Sequence, residues 1–231
     1  MKKILIIIII MSSTILYSKD YREYYDNGQL KVSGVFKDGV GVGKWFEFYE
    51  NGRIKIERNY VNGKGEGIWK GYYDTGEIMV EGYYENDKFH GDVVGYYKNG
   101  QPSEKIIYKE GLSDGKSTLY FKNGNIKSTG IYKDGVKYGK WVDYFDNGQP
   151  WVEVQYIDTT GKVIIINSWD RKGDFTLEDG VGTYIDYYDN GMKYSQGTFL
   201  YGTPNGEWIY FGEEQEIIKK EFYEDGVLVE R

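Results

Sequence analysis

The sequence contains no cysteine, one histidine and three prolines among its 231 residues. The absence of cysteine excludes disulfide scaffolds, thiolate metal sites, cysteine nucleophiles and a diacylglycerol-anchored lipoprotein. A single histidine excludes a histidine-based metal site and leaves little room for a catalytic triad. His90 lies in Phe89-His90-Gly91 and is interpreted as an exposed loop residue. The net charge of −7 argues against nucleic acid and anionic lipid surfaces as partners.

Glycine and tyrosine are abundant instead, with 32 and 25 copies. Aromatic residues favour strands, and glycine favours turns, so the composition indicates many strands joined by many turns. This pattern is typical of an all-β protein.

The N-terminus has the features of a signal peptide. Lys2 and Lys3 precede an apolar run over residues 4–11, and Ser12-Ser13-Thr14 makes this run too short to span a bilayer comfortably. We therefore expect residues 1–18 to be removed by cleavage near Ser18, leaving residues 19–231 as one repeat domain without a membrane span. The mature protein is then periplasmic, on the cell surface or extracellular. An uncleaved N-terminal anchor is the alternative.

Pairs of aromatic residues recur every 24 residues, which is the signature of a repeat protein. Two further pairs follow after a longer gap, giving about eight repeats of 24 residues. The pairs are Tyr24-Tyr25, Phe48-Tyr49, Tyr72-Tyr73, Tyr96-Tyr97, Tyr120-Phe121, Tyr144-Phe145, Tyr187-Tyr188 and Tyr210-Phe211.

The dipeptide Asn-Gly follows most aromatic pairs, as at Asn51-Gly52. Between alternating apolar segments, this dipeptide predicts a two-residue type I′ hairpin turn. A second, longer turn is expected from Asp38-Gly39 through Gly43. The prediction is an antiparallel array of β-hairpins that forms an elongated, twisted sheet.

A two-residue turn places Phe48 opposite Lys55, and Trp45 opposite Arg58, which could stack on the indole. Gly82 falls opposite Trp69, where the missing side chain lets the indole lie flat. Because side chains alternate between faces, one face is predicted to be the core. It carries Trp45, Tyr49, Ile54, Ile56 and Tyr60, with Trp69, Tyr73, Ile78, Val80, Tyr84, Trp141, Phe145 and Val152 as equivalents.

The first aromatic residue of each pair then lies on the other, half-solvated face, with lysine stems across the rings. The lysines are Lys31, Lys55 and Lys127. We call these aromatic residues the predicted ridge and expect them to bind a partner, although they could also only stiffen the sheet through cross-strand contacts. The ridge consists of Tyr24, Phe48, Tyr72, Tyr96, Tyr120, Tyr144, Tyr187 and Tyr210.

The repeat is interrupted once, by an inserted segment at about residues 157–180. Residues 163–166 indicate an additional strand, and Trp169 begins a polar loop that ends at Asp174. The insert is either an extra hairpin or elaborated repeat, or a specific contact site that includes Trp169.

Two units carry a family resemblance: YYDNGQLKVSGVFKDGVGVGKW at residues 24–45 and YFKNGNIKSTGIYKDGVKYGKW at residues 120–141. They resemble the bacterial variant of the MORN (membrane occupation and recognition nexus) repeat, which often carries the label "toxin-antitoxin system YwqK family antitoxin". The resemblance implies β-hairpin repeats that form a binding or scaffolding surface, with no catalytic residues.

Carboxylates are plentiful but fall mostly in turns, as at Asp26, Asp38 and Asp74, where turn formation explains them. No nucleotide-binding loop or hydrolase motif occurs, so neither an enzyme nor a cofactor or metal site is expected. The favoured function is an exported surface that binds a protein. A module that binds carbohydrate or envelope polymer is the alternative, or an antitoxin-like partner if the chain is not exported.

Overall fold

The computed structural model describes residues 17–157 and 161–230. The predicted signal peptide lies almost entirely outside these residues, as do three residues of the insert. The first strand begins at Ser18, next to the predicted cleavage point. No helix in the described ranges is long and apolar enough to cross a membrane.

The described chain folds into one antiparallel sheet of 21 strands. Strands pair with their neighbours along the chain, so the sheet is a meander. The short strands β5 and β8 share a partner with the strand that follows each of them, because β4 pairs with both β5 and β6, and β7 pairs with both β8 and β9. The all-β hairpin array is therefore confirmed. The strands are β1 Ser18–Tyr24, β2 Leu30–Lys37, β3 Val40–Phe48, β4 Ile54–Val61, β5 Lys64–Gly65, β6 Gly67–Tyr72, β7 Ile78–Glu85, β8 Lys88–Phe89, β9 Gly91–Tyr96, β10 Pro102–Lys109, β11 Leu112–Tyr120, β12 Ile126–Lys133, β13 Val136–Tyr144, β14 Pro150–Tyr156, β15 Val163–Trp169, β16 Phe175–Glu178, β17 Val181–Tyr187, β18 Lys193–Leu200, β19 Thr203–Phe211, β20 Ile217–Glu224 and β21 Val227–Glu230.

The Asn-Gly turns differ from the prediction. The amide of Tyr49 bonds to the carbonyl of Arg53, and the amide of Gly52 bonds to the carbonyl of Tyr49. Gly52 has a positive φ of 81°, but Asn51 does not. The loop therefore has three residues, and its extra residue shifts the register between β3 and β4. The predicted type I′ turn is wrong at this position.

Type I′ geometry occurs at the other end of each hairpin. Asp38 and Gly39 both have positive φ, at 52° and 80°, and β3 follows at once. The predicted longer turn is therefore a tight two-residue turn, and Gly43 (φ 66°) forms a bulge inside β3. Equivalent turns occur at Asn62-Gly63, Asn86-Asp87, Glu110-Gly111, Asp134-Gly135, Asp179-Gly180, Tyr201-Gly202 and Asp225-Gly226.

The register shift changes which residues share a face. Trp45 lies opposite Arg58, as predicted, but Phe48 lies opposite Ile54 rather than Lys55. Ile54 and its equivalent Ile78 therefore lie on the same face as the first aromatic residues, and not on the predicted core face.

The insert is a shortened repeat. Its loop from Asp170 to Asp174 has the two hydrogen bonds of the Asn-Gly loops, and Trp169 pairs with Phe175 as Phe48 pairs with Ile54. The described chain thus contains nine such hairpins, closed at residues 25–29, 49–53, 73–77, 97–101, 121–125, 145–149, 170–174, 188–192 and 212–216.

The tryptophan face is the more buried one, as predicted. Trp141 is 0% exposed, and Trp45 and Trp208 are also buried. A Cβ added to Gly130 would lie 2.2 Å from the Trp141 indole, so the ring lies flat on a glycine of the preceding strand. We call the side of the sheet that carries these residues the Trp face.

Two predicted contacts on the Trp face differ in detail. Gly82 is in register with Trp69, but its closest side chains are Phe89 and Val93. The guanidinium of Arg58 lies 5.3 Å from the Tyr60 ring centroid and pairs with Glu47 at 2.6 Å, rather than stacking on the Trp45 indole.

The sheet is a single layer with both faces open. The chain exposes 15177 Å², whereas a compact monomer of 26.8 kDa exposes about 10,800 Å². An open sheet of this kind offers two separate surfaces for binding.

Candidate binding surfaces

The face opposite the Trp face carries a row of apolar side chains, which we call the stripe. In eight of the nine hairpins described above, the aromatic residue that ends the first strand pairs with an apolar residue that begins the next strand. The pairs are Tyr24 with Leu30, Phe48 with Ile54, Tyr72 with Ile78, Tyr96 with Pro102, Tyr120 with Ile126, Tyr144 with Pro150, Trp169 with Phe175 and Phe211 with Ile217. In the remaining hairpin, Tyr187 pairs with Lys193.

The stripe is accessible to a partner along its length. Tyr24, Phe175 and Ile217 are 55–56% exposed, and the first aromatic residues between Phe48 and Trp169 are half-buried. A surface that alternates aromatic and aliphatic side chains over many strands is unusual for a soluble monomer.

Hydrogen bonds hold two tyrosine rings of the stripe in place. The Tyr96 hydroxyl donates a 2.7 Å hydrogen bond to Glu81, and this bond raises the pKa of Tyr96 to about 12. Tyr72 donates to Glu57 at 3.3 Å in the same way. Each of these tyrosines therefore has a fixed orientation before any partner binds, which lowers the entropic cost of binding.

The carboxylates beneath these tyrosines also bind lysines. Lys44 lies 2.9 Å from Glu57, and Lys70 lies 3.1 Å from Glu81. The bond from Lys44 lowers the pKa of Glu57, and the bond from Tyr96 lowers that of Glu81. A row of paired charges thus borders the stripe.

The predicted lysine stems do not cross the stripe. Lys55 Nζ lies 5.8 Å from the ring centroid of Tyr49, the second aromatic residue of its pair. Lys31 and Lys127 lie over Tyr25 and Phe121 in the same way. The bulge at each Asn-Gly loop turns these lysines to the Trp face, so the stripe is more apolar than predicted.

Six of the predicted site residues lie in the stripe together with Trp169, and two do not. The stripe contains Tyr24, Phe48, Tyr72, Tyr96, Tyr120 and Tyr144. Tyr187 instead packs against Phe145 and Trp151, with centroids 5.5 and 6.2 Å apart.

Tyr210 lies on the Trp face, where its hydroxyl donates to Glu221 at 2.8 Å. The sequence-based alignment of Tyr210-Phe211 with the other aromatic pairs was wrong by one residue. Phe211, rather than Tyr210, is equivalent to the first aromatic residues, because it pairs with the apolar residue Ile217 of the next strand. The constant spacing from Gly206 to Trp208, matching Gly43 to Trp45, was the signal that could have shown this.

A cavity of about 570 Å³ opens on the Trp face beside the shortened repeat. Here Trp151 on β14 reaches past β15 and β16 and donates a 3.1 Å hydrogen bond to the carbonyl of Ile185 on β17. This site was not predicted from the sequence. Its lining includes Phe121, Lys127, Asp143, Trp151, Arg171 and Tyr188.

The shortening of the repeat explains the cavity. Leu177 is the equivalent of Ile56, and Gly182 is the equivalent of Gly67. Ile56 pairs with Gly71, four residues after Gly67, whereas Leu177 pairs with Gly182 itself. The next strand is therefore displaced by four residues relative to the preceding loop. This displacement carries β17 toward Trp151.

Charged groups at the cavity rim are partly paired. Arg171 bonds to Asp146 at 2.8 Å and lies 4.9 Å from the Phe145 centroid. Asp143 accepts a hydrogen bond from the Ser128 hydroxyl. No cluster of side chains in the described ranges could hold a metal ion.

Six stretches of the sequence match the family described as MORN repeat variant. They are residues 19–38, 42–62, 65–86, 89–110, 113–134 and 137–158, more than half of the chain. The chain belongs to the MORN repeat variant family. The matched MORN repeats from residues 42–62 to 113–134 each run from just after one type I′ turn to the next, and so contain one hairpin closed by the three-residue loop.

Other comparisons add little to this family assignment. No curated protein matches the chain. Among solved structures, the crystal structure of TcdB2-TccC3 matches with 10% identity and a TM-score of 0.22. That match covers 90% of this MORN repeat chain but only 15% of the other chain, and a similarity this weak supports no functional argument.

Proposed function

We propose that this MORN repeat protein is an exported, non-enzymatic scaffold that binds a protein partner through the stripe. The observation that carries the proposal is the pairing of an aromatic residue with an apolar residue in eight of the nine described hairpins, as at Phe48 and Ile54. Aromatic side chains supply large contact areas at low entropic cost and often form the centre of protein interfaces.

The proposal that the protein is not an enzyme is supported by the roles of its carboxylates. Three carboxylates form ion pairs with lysines along the sheet, namely Glu57, Glu81 and Glu153. Asp170 caps the loop of the shortened repeat, because it accepts hydrogen bonds from two backbone amides. These side chains therefore have structural roles.

Crosslinking in living cells tests the stripe. A photoreactive phenylalanine analogue at Phe48 or Ile126 is expected to capture a defined protein partner. Met79 and Ile218 provide matched controls. Each lies one residue after a stripe residue, Ile78 or Ile217. This is the strand position of Lys55, which is turned to the Trp face. Capture that is equally efficient from the control positions would contradict the proposal.

A triple variant tests whether the stripe supplies binding energy. Changing Ile54, Ile78 and Ile126 to Thr keeps the β-branched shape that strands favour and removes apolar surface. We expect the variant to fold and to lose the crosslinked partner. If it folds and keeps that partner, the stripe only stiffens the sheet.

Export is proposed from Lys2, Lys3 and the apolar residues 4–11. N-terminal sequencing of protein from cell fractions tests it, and we expect the mature chain to begin near residue 19 outside the cytoplasm. Intact Met1 in the cytosol would contradict export and favour an intracellular, antitoxin-like partner protein instead.

A further inference from the structure

The cavity beside the shortened repeat combines ring surfaces with hydrogen-bonding side chains. Phe121, Trp151 and Tyr188 contribute aromatic rings, while Lys127 and Asp143 contribute an ammonium and a carboxylate group. Its volume of about 570 Å³ lies in the usual range for small-molecule sites.

The charges around the cavity balance. Three basic side chains, Lys127, Lys137 and Arg171, face three acidic ones, Asp143, Asp146 and Asp189. Arg171 is paired with Asp146, and Lys137 lies 4.1 Å from the Trp141 ring centroid. A phosphate-bearing or polyanionic ligand would need an excess of free cations, which this site lacks.

We propose that this cavity binds a short, uncharged oligosaccharide. Sugar rings present C–H groups on their faces and hydroxyls around their rims, so they suit aromatic surfaces bordered by polar groups. Asp143 and Asp189 can accept hydrogen bonds from sugar hydroxyls, and Lys127 can donate one. Bonds to charged groups are stronger than bonds between neutral groups.

The site depends on two departures from the repeat. Trp151 occupies the strand position held by Lys31, Lys55 and Lys127 in other repeats. The displaced strand β17 then covers one side, through the bond from Trp151 to Ile185. Elsewhere, as at Lys55 over Tyr49, the same lysine–ring pair lies on the open sheet.

The cavity lies on the Trp face, although the stripe residue Tyr144 also borders it. Lys127 and Asp143, the two residues changed below, lie outside the stripe. Loss of sugar binding and loss of the protein partner are therefore separable results.

Isothermal titration calorimetry with maltotriose, cellotriose and triacetylchitotriose tests the proposal on the chain without its first 18 residues and on the full chain. At least one trisaccharide is expected to bind, and Lys127→Met is expected to weaken it about tenfold. The matched control is Lys55→Met, because each lysine lies 5.8 Å from a ring centroid. This control is expected to bind normally.

Asp143→Asn provides a second variant, since the amide oxygen can still accept the bond from Ser128 but is a weaker acceptor for sugar hydroxyls. We expect weaker binding with an unchanged melting temperature. The proposal is overturned if none of the three sugars binds at millimolar concentration, or if both lysine variants weaken binding equally. Binding of a tyrosine-containing peptide, but of no sugar, would assign the cavity to a peptide and also overturn it.

Discussion

The hydroxyl of Tyr97 donates a 2.6 Å hydrogen bond to the main-chain carbonyl of Tyr120, 23 residues further along the chain. The second aromatic residue of one repeat is thus tied to the first aromatic residue of the next. The same bond recurs from Tyr25 to Phe48, Tyr49 to Tyr72, Tyr73 to Tyr96 and Tyr188 to Phe211. Phe121 and Phe145 have no hydroxyl and interrupt the series.

The first prediction concerns this series of bonds. Tyr97→Phe is expected to lower the free energy of unfolding by about 0.5–1.5 kcal/mol, the net value of one hydrogen bond. Phe121→Tyr places a hydroxyl in the equivalent position and is expected to raise it by a similar amount. Urea unfolding measures both changes, and shifts in the same direction would contradict the role of the bond.

The second prediction concerns the type I′ turns. Glu110 has a φ of 50°, and Asn62 has a φ of 51° at the equivalent turn position. Asparagine tolerates this left-handed conformation better than glutamate does. We therefore expect Glu110→Asn to stabilise the protein and Asn62→Glu to destabilise it, each by about 0.5–1 kcal/mol.

Thermal unfolding of both turn variants measures these effects. Glu110→Gln serves as the control for removal of the charge, and it should change stability little. If Glu110→Gln stabilises the protein as much as Glu110→Asn, charge rather than backbone conformation explains the gain.

The sequence predicted the repeat and the fold because the 24-residue period is a property of the residues themselves. It misassigned the turns because Asn-Gly suits both a type I′ turn and a longer loop in which only glycine has positive φ. The bonds that decide between them, such as the bond from the amide of Gly52 to the carbonyl of Tyr49, are properties of the folded loop.

The candidate sites were predictable to different degrees. The aromatic half of the stripe followed from the spacing, but its aliphatic half depended on the one-residue shift that pairs Phe48 with Ile54. The cavity could not be predicted, because it requires the four-residue displacement at Leu177 and Gly182. That displacement is visible only once the insert is recognised as a shortened repeat.

The third prediction concerns the contact of glycine with tryptophan. A Cβ at Gly130 would lie 2.2 Å from the fully buried Trp141 ring, so Gly130→Ala is expected to destabilise by at least about 1–3 kcal/mol through overpacking. Gly41→Ala is the control, since its Cβ would lie 3.4 Å from the Trp45 ring. Equal losses in urea unfolding would contradict this explanation.

A neighbouring repeat suggests how the Gly130 defect can be repaired. Ile106 and Ser117 occupy the positions of Gly130 and Trp141 in the preceding repeat and pair directly, so there the large and small side chains are exchanged. We expect Gly130→Ile to be strongly destabilising alone and partly rescued by Trp141→Ser. A double-mutant cycle measures the coupling between them, and additive losses would show that the two positions do not share one volume.

The last prediction concerns acid stability and Glu221. This buried carboxylate bonds to Lys219 at 2.6 Å and to Tyr210 at 2.8 Å. These partners lower its pKa from 4.5 to about 2. In the unfolded chain Glu221 binds a proton at higher pH than in the folded protein, so its contribution to stability is complete above pH 4.5 and is lost as the pH falls toward 2.

Urea unfolding between pH 2 and 7 compares wild type with Glu221→Gln, and with Glu213→Gln as an exposed control from the last loop. Near neutral pH, Glu221→Gln is expected to be less stable than wild type, because the neutral amide of glutamine cannot form an ion pair with the Lys219 ammonium. That difference should shrink as the pH falls from 4.5 toward 2, while the Glu213→Gln curve stays parallel to wild type. A Glu221→Gln curve that also stays parallel would show that other carboxylates, such as Glu57 and Glu81, govern the acid transition.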